Sequence, residues 1–97
     1  MFAIAVTSKV QLDKIDEATA VFRDSVVPAY QQLKGFKSGL LMIDPASGNS
    51  LGISMWESET DRSAVQSSGA LQEQLGKFAA VLVAPPVTGT YEVKVQV

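Results

Sequence analysis

The stretch Gly35–Glu57, GFKSGLLMIDPASGNSLGISMWE, decides the fold. It reads as two apolar strands joined by a tight turn. Asp44-Pro45 opens the turn, since Asp suits the first position of a type I turn and Pro pre-sets the backbone of the next residue. Gly48 supplies the left-handed conformation that returns the chain. Pairing Asp44 with Asn49 sets Met42 against Leu51, Leu40 against Ile53 and Ser38 against Met55. Side chains alternate between faces along a strand. One face then carries Phe36, Ser38, Leu40, Met42, Leu51, Ile53 and Met55. The other carries Gly39, Leu41, Ile43, Gly52, Ser54 and Trp56, with Lys37 and Ser50 at its ends. Neither shows the alternate polar residues of a solvated face. Both are expected to be buried: the Leu40/Met42 face under the chain's own helices, the Leu41/Ile43 face against a second copy of the chain.

The rest of the chain supplies those helices and two more strands. Phe2 to Thr7 alternates as a strand, with Phe2, Ile4 and Val6 on one side. Ser8-Lys9-Val10-Gln11 has the spacing of a capping box. Leu12, Ile15, Ala18, Phe22, Val26, Ala29 and Leu33 recur on one helical face, and Pro28 predicts a kink or division near Val27. Gly35 ends this helix. Ser58 caps a second helix, with Asp61 as its acidic partner, and Ser67-Ser68-Gly69 predicts a break and restart. Phe78 to Ala84 reads as one more helical turn, stopped by Pro85-Pro86. Thr88 to Val97 alternates cleanly and reads as an edge strand. The order strand, helix, strand, strand, helix, strand predicts an α+β protein: a ferredoxin-like βαββαβ antiparallel sheet with both helices on one face. The remaining face predicts a homodimer through the open sheet face.

Composition bounds the function. The 97 residues fit one domain, 1–97, and 46% hydrophobic with 19% charged residues is the balance of a folded chain. A net charge of −2 without a basic stripe argues against nucleic acid as a partner. There is no cysteine and no histidine. Disulfides and thiolate chemistry are excluded, and the commonest general base and transition-metal ligand are missing. MFAIAVTSK lacks the basic lead of a signal peptide, and no apolar run spans a bilayer, so no membrane is expected and the default compartment is cytoplasmic.

Particular residues add a resemblance. Pro28 late in the first helix, Gly35-Phe36 opening strand two, Asp44-Pro45 with Gly48, Trp56-Glu57-Ser58 before helix two, and Pro85-Pro86 before the last strand together resemble the antibiotic biosynthesis monooxygenase-like family of the dimeric α+β barrel superfamily. The resemblance covers nearly the whole chain and rests on scaffold features. It implies a homodimer of face-to-face sheets, with a pocket between helices and sheet in each subunit. Some members oxidise polyaromatic substrates with molecular oxygen and no cofactor; others degrade haem. The haem-degrading branch uses an Asn on strand one and a Trp and a His on helix two. Val6 and Thr7, Val65 and Leu75 stand near those places here, so haem degradation is not expected. The implied activity is a cofactor-independent monooxygenase acting on an aromatic, polyketide-like molecule. The alternative is a non-catalytic small-molecule-binding or structural dimerisation domain.

No paired acid and base, phosphate-binding glycine loop or metal-ligand cluster is visible. The candidate pocket residues are Phe22, Tyr30, Met55, Trp56 and Phe78, a set that suits a small apolar or aromatic ligand. Phe22, Tyr30 and Phe78 lie on apolar helix faces, with Met42 and Met55 expected across from them. Each aromatic also reads as plain core. Trp56 can wall a pocket or fill a corner. Arg62 sits in the first turn of a helix, where the dipole disfavours a cation. A carboxylate partner, Glu59 or a ligand, would explain it, and so would a solvated surface position.

Overall fold

In the computed structural model, which describes residues 1–97, four strands form one antiparallel sheet: β1 (Phe2–Lys9), β2 (Phe36–Ile43), β3 (Asn49–Trp56) and β4 (Val87–Glu92), in the order β2-β3-β1-β4. Helices α1 (Ile15–Val21) and α2 (Val27–Gln31) connect β1 to β2, and α3 (Glu59–Ser67) and α4 (Ala70–Gly76) connect β3 to β4. This is the ferredoxin-like α+β arrangement.

The hairpin has the expected register, with Met42 on Leu51, Leu40 on Ile53 and Ser38 on Met55. Asp44 builds the turn. Its carboxylate accepts from the Ala46 N–H at 3.0 Å and the Ser47 hydroxyl at 2.9 Å. These bonds hold its pKa below the usual carboxylate range, the Ala46 N–H contributing most. Gly48 takes φ 81°, and a Cβ there would lie 2.2 Å from the Val10 carbonyl oxygen, so no other residue fits.

The two faces are exchanged relative to the sequence-based expectation. Gly39, Leu41, Ser50, Gly52, Ser54 and Trp56 face the helices; Leu40, Met42, Leu51, Ile53 and Met55 face away. A β-bulge supplies part of the reason. Two residue steps on β2, from Phe36 to Ser38, oppose one on β3, from Trp56 to Met55. The bulge turns Phe36 onto the same side as Trp56. Tyr30, Phe36 and Trp56 then pack together, with the Tyr30–Trp56 and Phe36–Trp56 centroids both 5.4 Å apart and edge-on. The helices supply the other part. The Phe22 ring comes within 3.6 Å of where a Gly39 Cβ would stand and 3.9 Å of where a Gly52 Cβ would stand. The small residues expected to admit another sheet admit this chain's own aromatic rings instead.

The helix-covered side holds two apolar clusters. One comprises Ile4, Val26, Tyr30, Trp56, Val65 and Leu71; the other comprises Val10, Ala18 and Val81. Between α1 and α2, Phe22–Val26 winds as a π-helix, with the Val27 N–H bonded to the Phe22 carbonyl. Pro28 follows at the start of α2. Having no N–H and a ring that crowds the preceding turn, it explains the widened winding.

Three local expectations change. Ser8 does not cap a helix. It lies in β1, with its hydroxyl paired to that of Ser50, and the first turn at Leu12–Lys14 has no side-chain cap. Residues 78–84 do not extend a helix. After a turn closed by the Val81 N–H on the Phe78 carbonyl, the chain straightens, and Val10 and Leu82 form a β-bridge. The last strand begins at Val87 and ends at Glu92, short of Val97, and lies at the sheet edge. The Ser58 cap is present: its hydroxyl accepts from the Asp61 N–H at 3.0 Å. The break at Ser67–Gly69 is present too, with Gly69 left-handed at φ 84°.

Candidate functional site

A cavity lies between the two apolar clusters, because the sheet beneath it carries small side chains. Ser8, Ser50, Gly52 and Ser54 form its floor, and Phe22, Val26, Tyr30, Leu71, Leu75 and Phe78 form its roof and walls. Its volume open to water is about 60 Å³, a narrow slot between the aromatic rings with room for a few waters. Shallow surface grooves adjoin it at Phe22, Leu41 and Ile43, and again at Leu75, Leu82 and Pro86.

Of the five predicted pocket residues, Phe22, Tyr30 and Phe78 line this space. Trp56 stands outside the lining. It is 0% exposed, wedged between Tyr30 and Phe36, and its indole N–H donates to the Ser54 hydroxyl at 3.0 Å. Met55, like Met42, projects from the opposite side of the sheet, because adjacent strand residues face opposite ways. The face exchange takes Met55 away from the cavity.

Few polar atoms reach the cavity. The Ser8 and Ser50 hydroxyls bond to each other, and Ser50 also donates to the Ser8 carbonyl. The Tyr30 hydroxyl makes no hydrogen bond within the protein, and burial pushes its pKa up to about 12. It is a neutral phenol at physiological pH, able to donate to a ligand. Sequence reasoning missed Gln74. It is 5% exposed, lines the cavity from α4, and accepts through Oε1 from the Ser25 hydroxyl at 3.0 Å. Ser25 in turn accepts from Lys77 Nζ at 2.8 Å. The available signal was its place one residue before Leu75 and three after Leu71, on the edge of the apolar stripe. No carboxylate or cation lines the cavity.

Arg62 lies elsewhere. Its guanidinium sits 5.6 Å from the centroid of the Phe2 ring, its Nη2 is 3.9 Å from Glu59, and its buried Nε has no partner. No three acidic side chains converge as a metal site would require.

Comparison with solved structures agrees with this architecture. A Nitrosomonas europaea protein provisionally assigned as an antibiotic biosynthesis monooxygenase superposes with a TM-score of 0.75 at 14% identity, over 98% of this chain and 100% of that one. The Streptomyces coelicolor monooxygenase ActVA-Orf6, solved with nanaomycin D, gives 0.73 at 20% identity over 99% and 89%. SnoaB, a cofactor-independent oxygenase from Streptomyces nogalater, gives 0.77 at 11% identity over 98% and 94%. No family model matches the chain, and no curated protein matches it in sequence. The chain therefore has the α+β fold seen in these monooxygenase and oxygenase structures. At these identities the likeness is one of fold.

Proposed function

We propose that this protein binds a small aromatic molecule between its helices and sheet and presents it to dioxygen as a cofactor-independent monooxygenase. The observation that carries the reading is the cavity: an apolar slot walled by Phe22, Tyr30 and Phe78, with the Tyr30 phenol and the Gln74 amide among its few polar groups. Such a site holds and desolvates a flat apolar ligand. The substrate supplies the electrons. An activated ring CH2 becomes C=O, one oxygen atom of O2 forms that carbonyl, and the other leaves with the two hydrogens as water. The chain's part is to exclude bulk water and fix the ring, with the Tyr30 hydroxyl donating to developing charge on a substrate oxygen. ActVA-Orf6 and SnoaB support the reading as oxygenases on this fold.

Oxygen uptake with a panel of anthrones and hydroquinones tests it. Protein-dependent uptake that falls in Tyr30→Phe is expected, and no uptake across the panel removes the enzymatic part. A second reading, ligand binding without catalysis, is favoured by one observation: Tyr30 is the only titratable side chain lining the cavity, and it stays neutral at physiological pH. In that case binding is measurable and uptake is not.

The apolar far side of the sheet, with Leu40 44% and Met42 50% exposed, supports a homodimer assembled through that face. The cytoplasm is the compartment that goes with this reading. No helix is long and apolar enough to cross a membrane.

A further inference from the structure

We propose that the Gln74 amide is a specificity-determining donor of the cavity. Held in one orientation by Ser25 and Lys77, it selects neutral ligands that carry a carbonyl oxygen. The inference rests on the cavity being a ligand site, as argued above, and adds which end of the ligand is read and by what atom.

The argument is one of hydrogen-bond accounting. A primary amide has two donor hydrogens and one acceptor oxygen. The Gln74 oxygen is satisfied by the Ser25 hydroxyl at 3.0 Å. That hydroxyl accepts from the Lys77 ammonium at 2.8 Å, so its own proton is free to point at Gln74. The positive charge behind Ser25 also favours the amide oxygen, rather than its NH2, on that side. The NH2 group donates to no protein atom, and the residue is 5% exposed and lines the cavity. Arg62 Nε is the one buried side-chain polar atom without a partner, so the Gln74 NH2 is reachable by water and open to an acceptor that displaces it.

The surroundings say what kind of oxygen. Lys77, which spends its contact on Ser25, does not line the cavity, and neither does any other cation. A carboxylate or phosphate would enter without a counter-charge, which is strongly unfavourable in so apolar a space. A ketone or quinone carbonyl is neutral and accepts a hydrogen bond from one of the amide hydrogens. Apart from the Tyr30 phenol and the floor serines, the remaining walls contribute aromatic and aliphatic contact, which suits the rest of a ring system.

The probes are 1-tetralone and tetralin, two bicyclic molecules that differ in one carbonyl. Dissociation constants are measured for wild-type protein, Gln74→Leu and Ser25→Ala, together with the carbonyl stretching band of bound 1-tetralone. In Gln74→Leu the ratio of the 1-tetralone to the tetralin dissociation constant is expected to rise about tenfold, because the carbonyl loses its donor while hydrocarbon contacts persist. Ser25→Ala, which keeps the amide but frees it to rotate, is expected to raise the ratio about threefold. In wild-type protein the carbonyl band is expected below its position in hydrocarbon solvent. A ratio unchanged within about twofold in the variants, or a wild-type band at the hydrocarbon position, overturns the role of Gln74 and leaves the cavity as a ligand site. Read also in Tyr30→Phe, which removes the other donor, the lowered band is expected to persist, so the test stands even if Gln74→Leu fails to fold; a band at the hydrocarbon position in Tyr30→Phe overturns the role of Gln74. Binding of neither probe to the wild-type protein overturns the ligand-site reading and this inference with it.

Discussion

Strand β3 presents Ser50, Gly52, Ser54 and Trp56 to the helices and Leu51, Ile53 and Met55 to the other side of the sheet. On the first side the strand's residues are mostly small, because the volume comes from above, as Phe22 and Tyr30 in the first helical segment and Phe78 in the turn after α4. On the second side they are medium-sized and apolar and only partly buried, with Tyr91 59% exposed on the same side of the sheet two strands away on β4. One strand thus serves two kinds of packing. A face roofed by large side chains needs floor space; a face that no helix roofs does not. Smallness along a strand marks what fills the space above it, and does not by itself say whether that is a helix or another sheet.

The largest effect that sharpens this contrast is expected at Trp56. Trp56→Ala removes a fully buried ring from the Tyr30–Phe36 cluster, and denaturant unfolding should show a loss of about 3–5 kcal/mol at every protein concentration. A loss below about 1 kcal/mol would break the assignment of the roofed face.

Next come substitutions that add volume on one side or the other. A Gly39 Cβ would already touch Phe36, Phe22 and the Ile53 carbonyl at 3.5–3.6 Å. Gly39→Leu is therefore expected to cost about 1–3 kcal/mol. Ser38→Leu, one residue earlier on the other side, is expected to stay within about 0.5 kcal/mol. Equal costs would erase the difference between the faces.

Tyr30 gives the roofed face a pH signature of similar size. Its folded pKa, about 12, lies above the ordinary phenol value near 10, so the folded state holds the proton more tightly. The associated stability, on the order of 2 kcal/mol, is fully present below pH ~10 and is lost as pH rises through about 12. Unfolding free energies at alkaline pH should show this fall in wild-type protein and lack it in Tyr30→Phe.

The smallest change to the isolated subunit is expected on the open face. Met42→Lys should alter stability by no more than about 0.5 kcal/mol in dilute solution. It should nonetheless abolish the concentration-dependent rise in stability and the dimer boundary in sedimentation. A wild-type protein that sediments as a monomer at all concentrations would remove the proposed partner from that face.

Several features were legible before any coordinates, because their physics is local. Asp44-Pro45 and Gly48 specify a turn through hydrogen bonding and backbone sterics, and the turn in turn pairs Met42 with Leu51. Ser58 and Asp61 lie within one turn of each other, and so do Ser67-Ser68-Gly69. The strand and helix order follows from periodicity. Phe22 and Tyr30 were recognisable as large rings of the helix faces; Phe78, expected on a helix as well, stands in the turn after α4.

Which way the hairpin faces was beyond the sequence. Both of its faces are apolar, so hydrophobic pattern gives no sign, and the answer depends on a bulge after Phe36 and on rings arriving from residues far along the chain. The positions of Met55 and Trp56 relative to the cavity changed with it. Gln74 was hidden for a related reason: a polar residue beside an apolar stripe reads as surface until Ser25 and Lys77, separated from it in sequence or by a helical turn, are brought to the same place. Turns, caps and element order are set by neighbours within a few bonds. The roof over a sheet and the direction of a buried amide are set by contacts that exist only once the chain has closed on itself.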